Sequence, residues 1–278
     1  MKNHLEDKVV VVTGAGSGFG RLVAEQACGL GAKVVGADVD TEQLATVFEA
    51  LDGGGHDAAH LATDVTDMAQ MQALAAFAVD AFGRIDVMVN NAGVMPLSFY
   101  ADHEQAWKAW HAAIDVNVKG VLNGIAAVYD QMIAQGRGHV VNISSIYSNF
   151  ATAGAGVYTA TKSAVNALSE SLRVESQGKI KVSVVRPTGV PKTGLGASVV
   201  NPAAVVGIFG QHASTAMDNM MKYITGELPP ELTDADSPRL WSLEPEHIAD
   251  NIVHVMNQPW GISISDITIR ATGEDYVL

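Results

Sequence analysis

The chain has 278 residues, 48% of them hydrophobic and 17% charged, which supports a sizeable buried core and excludes disordered or collagen-like classes. A net charge of −13, with no run of Lys and Arg, argues against nucleic acid as a partner. A single cysteine, Cys28, excludes an internal disulfide and suits a reducing cytosol. No uncharged run reaches membrane-spanning length, and the opening residues MKNHLEDK carry no apolar signal core, so a cytoplasmic protein without membrane contact is expected. His247 and His254 share a helical face, but no ligand-spaced cluster surrounds them and no metal site is expected.

Residues 8–13, KVVVVT, read as a buried parallel strand, followed by the turn TGAGSGFG and an amphipathic helix to about Leu30 that holds Cys28 as a core thiol. Gly31 stands where a helix C-cap belongs. A second strand spans 33–37 and ends in Asp38; a helix over 41–51 breaks at Asp52-Gly-Gly-Gly. A third strand, 58–63, runs into Asp64-Val65, a helix covers 67–82, and a strand over 85–89 meets Asn90-Asn-Ala-Gly93. Helices fill 102–135, strand 140–143 ends in Ser144 and Ser145, and a loop over 151–156 leads into a helix with Tyr158 and Lys162. After strand 180–186 comes a Gly-, Pro- and Met-rich stretch, 188–244, with one helix near 202–225; a helix over 245–257 and a strand over 262–270 close the pattern. This alternation predicts one domain, residues 1–278, of α/β class: a doubly wound, Rossmann-like parallel sheet with an insertion at about 188–244.

A glycine turn between a first strand and a first helix presents backbone N–H groups and a helix N-terminus to a pyrophosphate. Gly14, Gly16, Gly18 and Gly20 depart from plain G-x-G-x-x-G, but the strand before, the helix after and the acidic end of the second strand supply the context. Asp38 suits the adenosine ribose hydroxyls and repels a 2′-phosphate, and neither Ser17 nor Val39 offers a compensating cation, so NAD is expected over NADP. Asp64 and Val65 would edge the adenine, and Asn90, Ala92 and Gly93 lie at the next strand end, where small residues let a cofactor approach backbone.

Tyr158 and Lys162 are one helical turn apart. A phenol titrates near 10, and a neighbouring ammonium favours its phenolate. A serine from the adjoining strand can steady a carbonyl oxygen while the tyrosine exchanges a proton.

With Thr13-Gly-x-x-x-Gly18-x-Gly20, Asp38, Asp64-Val65, Asn90-Asn-Ala-Gly93, Asn117, Ser145 and Tyr158-x-x-x-Lys162 in this order, the chain resembles the short-chain dehydrogenase/reductase family over nearly its full length. The resemblance implies Tyr158 as general acid/base and Lys162 as its pKa-lowering, ribose-binding partner. It further implies Ser145 as the group that polarises the substrate oxygen and Asn117 as anchor of a water relay. Gly14, Ser17, Gly18, Phe19, Gly20, Asp38, Asp64, Val65, Asn91, Ala92, Gly93, Lys162, Pro187, Gly189, Val190 and Thr193 would hold NAD. Helices around 117–133 and 158–176 would build a homodimer or homotetramer.

Three departures stand out. Position 192, where the family has its threonine, is Lys192, and Thr193 comes one later; Tyr147 follows Ser145 where small residues are commoner, and so protrudes into the substrate site; the C-terminus reads RATGEDYVL in place of Asp-Gly-Gly. Phe209, Met217, Met220, Met221, Tyr223 and Ile224 form an apolar helical face, read as packing or as a lid, and Lys192, Lys222 and Arg239 form no clamp for a charged substrate. The expected activity is NAD-dependent interconversion of a neutral, hydrophobic, possibly cyclic secondary alcohol and its ketone, as an alcohol dehydrogenase or carbonyl reductase. The alternative is a non-catalytic dinucleotide sensor on the same fold; an epimerase or dehydratase has no pointer here.

Overall fold

The computed structural model describes residues 2–277; Met1 and Leu278, the ends of the expected domain, lie outside the described residues. Among the described residues, strands β1 (Val9–Thr13), β2 (Lys33–Asp38), β3 (Ala58–Ala62), β4 (Val87–Asn90), β5 (Gly138–Ile143), β6 (Ile180–Pro187) and β7 (Asp266–Ile269) form one sheet in the order β3-β2-β1-β4-β5-β6-β7. All neighbours run parallel, with Val11 level with Val35 on one side and Met88 on the other. The inner strands read as unbroken apolar runs because helices cover both faces.

Helices α1 (Gly18–Gly29), α2 (Thr41–Gly53), α3 (Met68–Phe82), α4 (His103–Ile114), α5 (Gly120–Ala134) and α6 (Gly156–Glu175) alternate with the strands. Further along lie α7 (Val206–Phe209), α8 (Ala213–Thr225) and α9 (Pro245–Met256). Their apolar stripes make two cores. Leu22 and Val23 of α1, Phe48 of α2 and Ile248 and Ile252 of α9 pack on one face; Leu74 of α3, Val128 of α5 and Val165 and Leu172 of α6 pack on the other. Cys28 is buried in the first core, and burial pushes its thiol up to about 11, as expected of a structural thiol. Gly31, at φ +76°, takes the left-handed conformation that ends α1.

Two expectations change. The helix foreseen near 202–225 is broken: Gly210, at φ +52°, turns the chain between α7 and α8. The last strand is shorter than 262–270, since only Asp266–Ile269 pairs with β6. The chain reverses direction of spread between β1 and β4, so the crevice beyond their carboxyl ends is where this architecture binds ligands. Among the described residues, no helix is long and apolar enough to cross a membrane.

Candidate active site

The glycine turn leaves β1 at Thr13 and enters α1 at Gly18. Gly14 (φ +67°) and Gly18 (φ +50°) sit in left-handed backbone. A side chain at Gly20 would put Cβ 2.1 Å from the Gly14 carbonyl oxygen. Ser17 caps α1 in extended backbone without a side-chain bond, and no acidic residue occupies the first turn. The helix therefore presents its first N–H groups and the positive end of its dipole unneutralised. Asp38 closes the neighbouring strand, and its Oδ2 accepts from Gly16 N at 2.9 Å. Backbone donors, a bare helix end and a strand-end carboxylate form a cradle suited to the pyrophosphate and ribose of a dinucleotide. Phe19 is half-buried against the core behind this turn.

Asn91 braces the turn from β4. Its Nδ2 donates to Thr13 O at 2.9 Å, and its backbone N–H donates to Thr13 Oγ1 at 3.0 Å. Asn90, next to it, faces the opposite way: buried, it donates to Asn142 Oδ1 at 2.8 Å, and Asn142 Nδ2 donates to Ser169 Oγ at 2.8 Å. This polar chain joins β4, β5 and α6, so Asn90 serves the core and not the cofactor edge. Asp64 accepts from Thr66 N at 2.9 Å, and the Val65 carbonyl accepts from Asn123 Nδ2 at 2.8 Å, which fixes this loop against α5. Ala92 N donates to Thr13 Oγ1 at 3.2 Å.

Ser145, at the end of β5, and Tyr158, on α6, come together: both are buried, Tyr158 being 3% exposed, and the Ser145 hydroxyl is near enough to favour the Tyr158 phenolate. Lys162 lies one turn on, its Nζ donating to Ile143 O at 2.8 Å and standing 5.9 Å from the Tyr158 ring centre. Ser144, one residue early, instead donates to Lys162 O at 3.2 Å. The expected lowering of the phenol by lysine is corrected here. Burial pushes Tyr158 up to about 12, opposed only by the Ser145 hydrogen bond, and burial pulls Lys162 down to about 8.

Asn117 lies in a π turn, Asp115–Lys119, between α4 and α5. Its Oδ1 accepts from Val94 N at 2.9 Å, and its Nδ2 donates to Val94 O at 2.8 Å and to Thr161 Oγ1 at 3.1 Å. A Cβ on Gly93 would lie 3.3 Å from Asn117 Oδ1 and 3.6 Å from Lys162 Nζ, so Asn117, Gly93 and Lys162 converge. The loop after β6 carries Pro187, Gly189 and Val190 to the same edge. Thr193 Oγ1 donates to Val190 O at 3.2 Å, whereas Lys192 turns outward to pair with Glu244 at 2.9 Å.

Around Tyr158 an apolar cluster gathers Leu97, Ile146, Tyr147, Ile208 and Phe209. Tyr147 packs edge-on against Tyr158 at 5.4 Å and is buried. Met217 (45% exposed), Met221 (62%) and Ile224 (71%) face outward on α8, so half of the foreseen apolar face packs on nothing within the chain. Sequence reasoning missed Tyr276. It stacks on Phe209 at 5.1 Å with its hydroxyl against Gly189, where a Cβ would come within 1.9 Å. An aromatic residue following the last strand was the available signal.

A profile described as short chain dehydrogenase matches residues 8–203. The chain belongs to the short-chain dehydrogenase/reductase family. It is thus an oxidoreductase by family. An uncharacterized oxidoreductase of Staphylococcus saprophyticus is 35% identical over 98% of this chain and 99% of its own length. A short-chain dehydrogenase/reductase from Burkholderia phymatum, solved in complex with NAD, superposes with a TM-score of 0.75 at 31% identity, covering 96% of this chain and 90% of that one. A metagenomic short-chain oxidoreductase in complex with NADP gives a TM-score of 0.72 at 30% identity, covering 96% and 98%.

Proposed function

We propose that this short-chain dehydrogenase/reductase is an NAD-dependent enzyme that interconverts a neutral, hydrophobic secondary alcohol and its ketone. The observation that carries this reading is the buried Ser145–Tyr158 pair with Lys162 one turn on, set in an apolar cluster. The NAD-bound Burkholderia relative supports a nicotinamide cofactor, and the NADP-bound metagenomic relative shows that the family profile alone does not choose between the two. Asp38 supports NAD: its carboxylate already faces the turn at Gly16, where a 2′-phosphate would meet like charge.

Gly14, Gly18, Gly20 and Asp38 would hold the adenosine half, and Gly93, Lys162, Pro187, Gly189, Val190 and Thr193 the nicotinamide half. Bound NAD supplies a hydride acceptor. Ser145 holds the substrate oxygen while Tyr158 takes its proton in oxidation or returns it in reduction. Burial keeps the phenol protonated, which suits proton donation to a ketone; oxidation is therefore expected to accelerate as pH rises. Asn117 positions the Val94 backbone beside Lys162 and would anchor the water that refills its proton.

Neutrality of the substrate follows from the cations of residues 188–244, each of which is paired on the surface: Lys192 with Glu244, Lys222 with Asp218, and Arg239 with Glu231. With these partners none is free to meet a substrate carboxylate or phosphate. Leu122 on α5 and Val174 on α6 are exposed, which supports a homodimer or homotetramer built through these two helices. Sedimentation of a monomer would defeat that assembly.

The test is NAD reduction, followed by absorbance, with linear, cyclic and aromatic secondary alcohols, with NADP and Tyr158→Phe alongside. Turnover that falls by about a thousandfold in Tyr158→Phe, with NAD still bound, is expected. Turnover of charged acids or sugar phosphates alone would defeat the substrate class. NAD binding without turnover of any substrate would leave a dinucleotide sensor.

A further inference from the structure

The C-terminal segment, residues 271–277, lies across the carboxyl edge of the sheet as a strap. Gly273 N donates to Leu240 O at 2.8 Å, Trp241 Nε1 donates to Asp275 Oδ2 at 2.6 Å, and Val277 N donates to Ile208 O at 3.0 Å. These bonds deliver the Tyr276 ring to a point where three functional segments meet. One side rests on Phe209 of α7, the hydroxyl rests on Gly189 of the β6 loop, and the ring packs on the cluster that holds Tyr147 and Tyr158; burial pushes the Tyr147 phenol up, with Tyr276 and Tyr158 adding to it. Only a narrow crevice remains between Gly189, Pro191, Met220, Trp241 and Tyr276.

Tyr158 is almost wholly covered, so a substrate reaches it only by displacing a wall. The other walls are fixed. Ser145 and Tyr147 follow directly from the central strand β5, and Tyr158 belongs to the core helix α6. The loop over 151–156 packs closely on the chain at 204–207: a Cβ on Gly154 would come 2.6 Å from Ala204 Cβ, and one on Gly207 would come 2.0 Å from Ala153 O. The strap, by contrast, pairs with no strand of the sheet: it is held at Gly273, Asp275 and Val277 by the bonds above and by the packing of Gly273 on Arg239 O, and its Tyr276 ring fills the space between them.

We propose that Tyr276 is the specificity-determining residue of this site: a movable aromatic wall, carried in cis by the C-terminal strap, that sets how large a hydrocarbon can stand over Tyr158. The proposal rests on the dehydrogenase reading and narrows its substrate class to alcohols whose apolar part fits against one aromatic ring. It also accounts for Gly189, since any side chain there would occupy the position of the Tyr276 hydroxyl.

The experiment compares full-length wild type with Tyr276→Ala, Tyr276→Phe and Tyr276→Trp, using NAD with 2-propanol, cyclohexanol and 4-tert-butylcyclohexanol. NADH affinity is measured by fluorescence titration, and hydrogen exchange is followed by mass spectrometry. Tyr276→Ala is expected to raise kcat/KM for the bulkiest alcohol relative to the smallest by about tenfold, through KM; Tyr276→Trp reverses the preference, and Tyr276→Phe matches wild type. NADH affinity stays unchanged. Exchange in 145–148 and 206–212 quickens in Tyr276→Ala, a readout that needs no turnover. An unchanged size preference across the variants overturns the proposal. If wild type turns over no alcohol, the dehydrogenase reading fails by itself, and unaltered exchange in Tyr276→Ala overturns the wall while quickened exchange upholds it.

Discussion

The two ends of the ligand crevice are made of different material. At the cofactor end, recognition is carried by backbone: a glycine turn, a bare helix terminus and one carboxylate, braced by Thr13 and Asn91. At the substrate end it is carried by side chains that the fold brings from far apart, Tyr147, Phe209, Trp241 and Tyr276. Backbone recognition tolerates no bulk and so is rigid; side-chain recognition depends on size and can be reshaped. Substitutions at the first end should therefore break the protein, and those at the second should retune it.

The largest effect is expected at Gly20. An added methyl would overlap the Gly14 carbonyl oxygen and the Asn91 amide, both held in place. Gly20→Ala should destabilise the fold by about 3 kcal/mol, the upper end of overpacking costs, and abolish NADH binding. Thermal unfolding and fluorescence titration check it, and a stable, NADH-binding variant would break the contrast.

Next comes Lys162, which stands between the two ends. Its pKa is about 8 in the folded protein, below the ordinary 10.5. Below pH 8 both states carry the ammonium, and the folded state bears the full desolvation cost. Between pH 8 and 10.5 the unfolded chain binds more protons, so stability rises with pH, and above that the penalty is gone. Lys162→Met should thus unfold at a higher temperature than wild type at pH 7, by a gain on the order of 1–3 kcal/mol, while losing turnover. The gap should close as pH approaches 10. A gap that widens with pH would show Lys162 to be stabilised as a cation.

The same division explains what the sequence revealed. The strand–helix alternation, the glycine turn and the Ser145–Tyr158–Lys162 set were legible because each is local: period, φ and spacing act within a few residues. Asn90, placed at the cofactor edge with Ala92 and Gly93, turns instead into the core, because neighbours at a strand end point to opposite faces and it is Asn91 that meets the glycine turn. The π turn at Asn117 has no residue signature, since it is a shift in carbonyl pairing. The raised Tyr158 phenol depends on how much chain is stacked over it, which spacing to Lys162 does not encode. For Tyr276 the only local signal was an aromatic residue after the last strand; its place against Gly189 and Phe209 is set by contacts across the C-terminal third.

Cofactor choice gives a smaller effect. Asp38 Oδ2 accepts from Gly16 N and Oδ1 from Asp40 N at 3.0 Å, so the carboxylate is oriented by backbone before any ribose arrives. Asp38→Ala should narrow the preference for NAD over NADP by about tenfold, equivalent to about 1.4 kcal/mol, with little change in alcohol preference. Equal use of NAD and NADP by wild type would break the assignment of Asp38 and move the backbone end's selectivity elsewhere.

The smallest effect is expected at Lys192, the family's threonine position. Its ammonium pairs with Glu244 and lies 4.9 Å from the Tyr223 ring centre, and Tyr223 also donates to Glu244 at 2.9 Å. The cluster ties α8 to the start of α9 at the rim, but Lys192 is 58% exposed and water screens the pair. Lys192→Ala should change stability by no more than about 1 kcal/mol and leave kcat/KM for cyclohexanol near wild type. Unfolding and initial rates at low and high salt check this. A large, salt-independent loss would mean that Lys192 reaches inward during turnover, and the substrate end would then hold a charged contact after all.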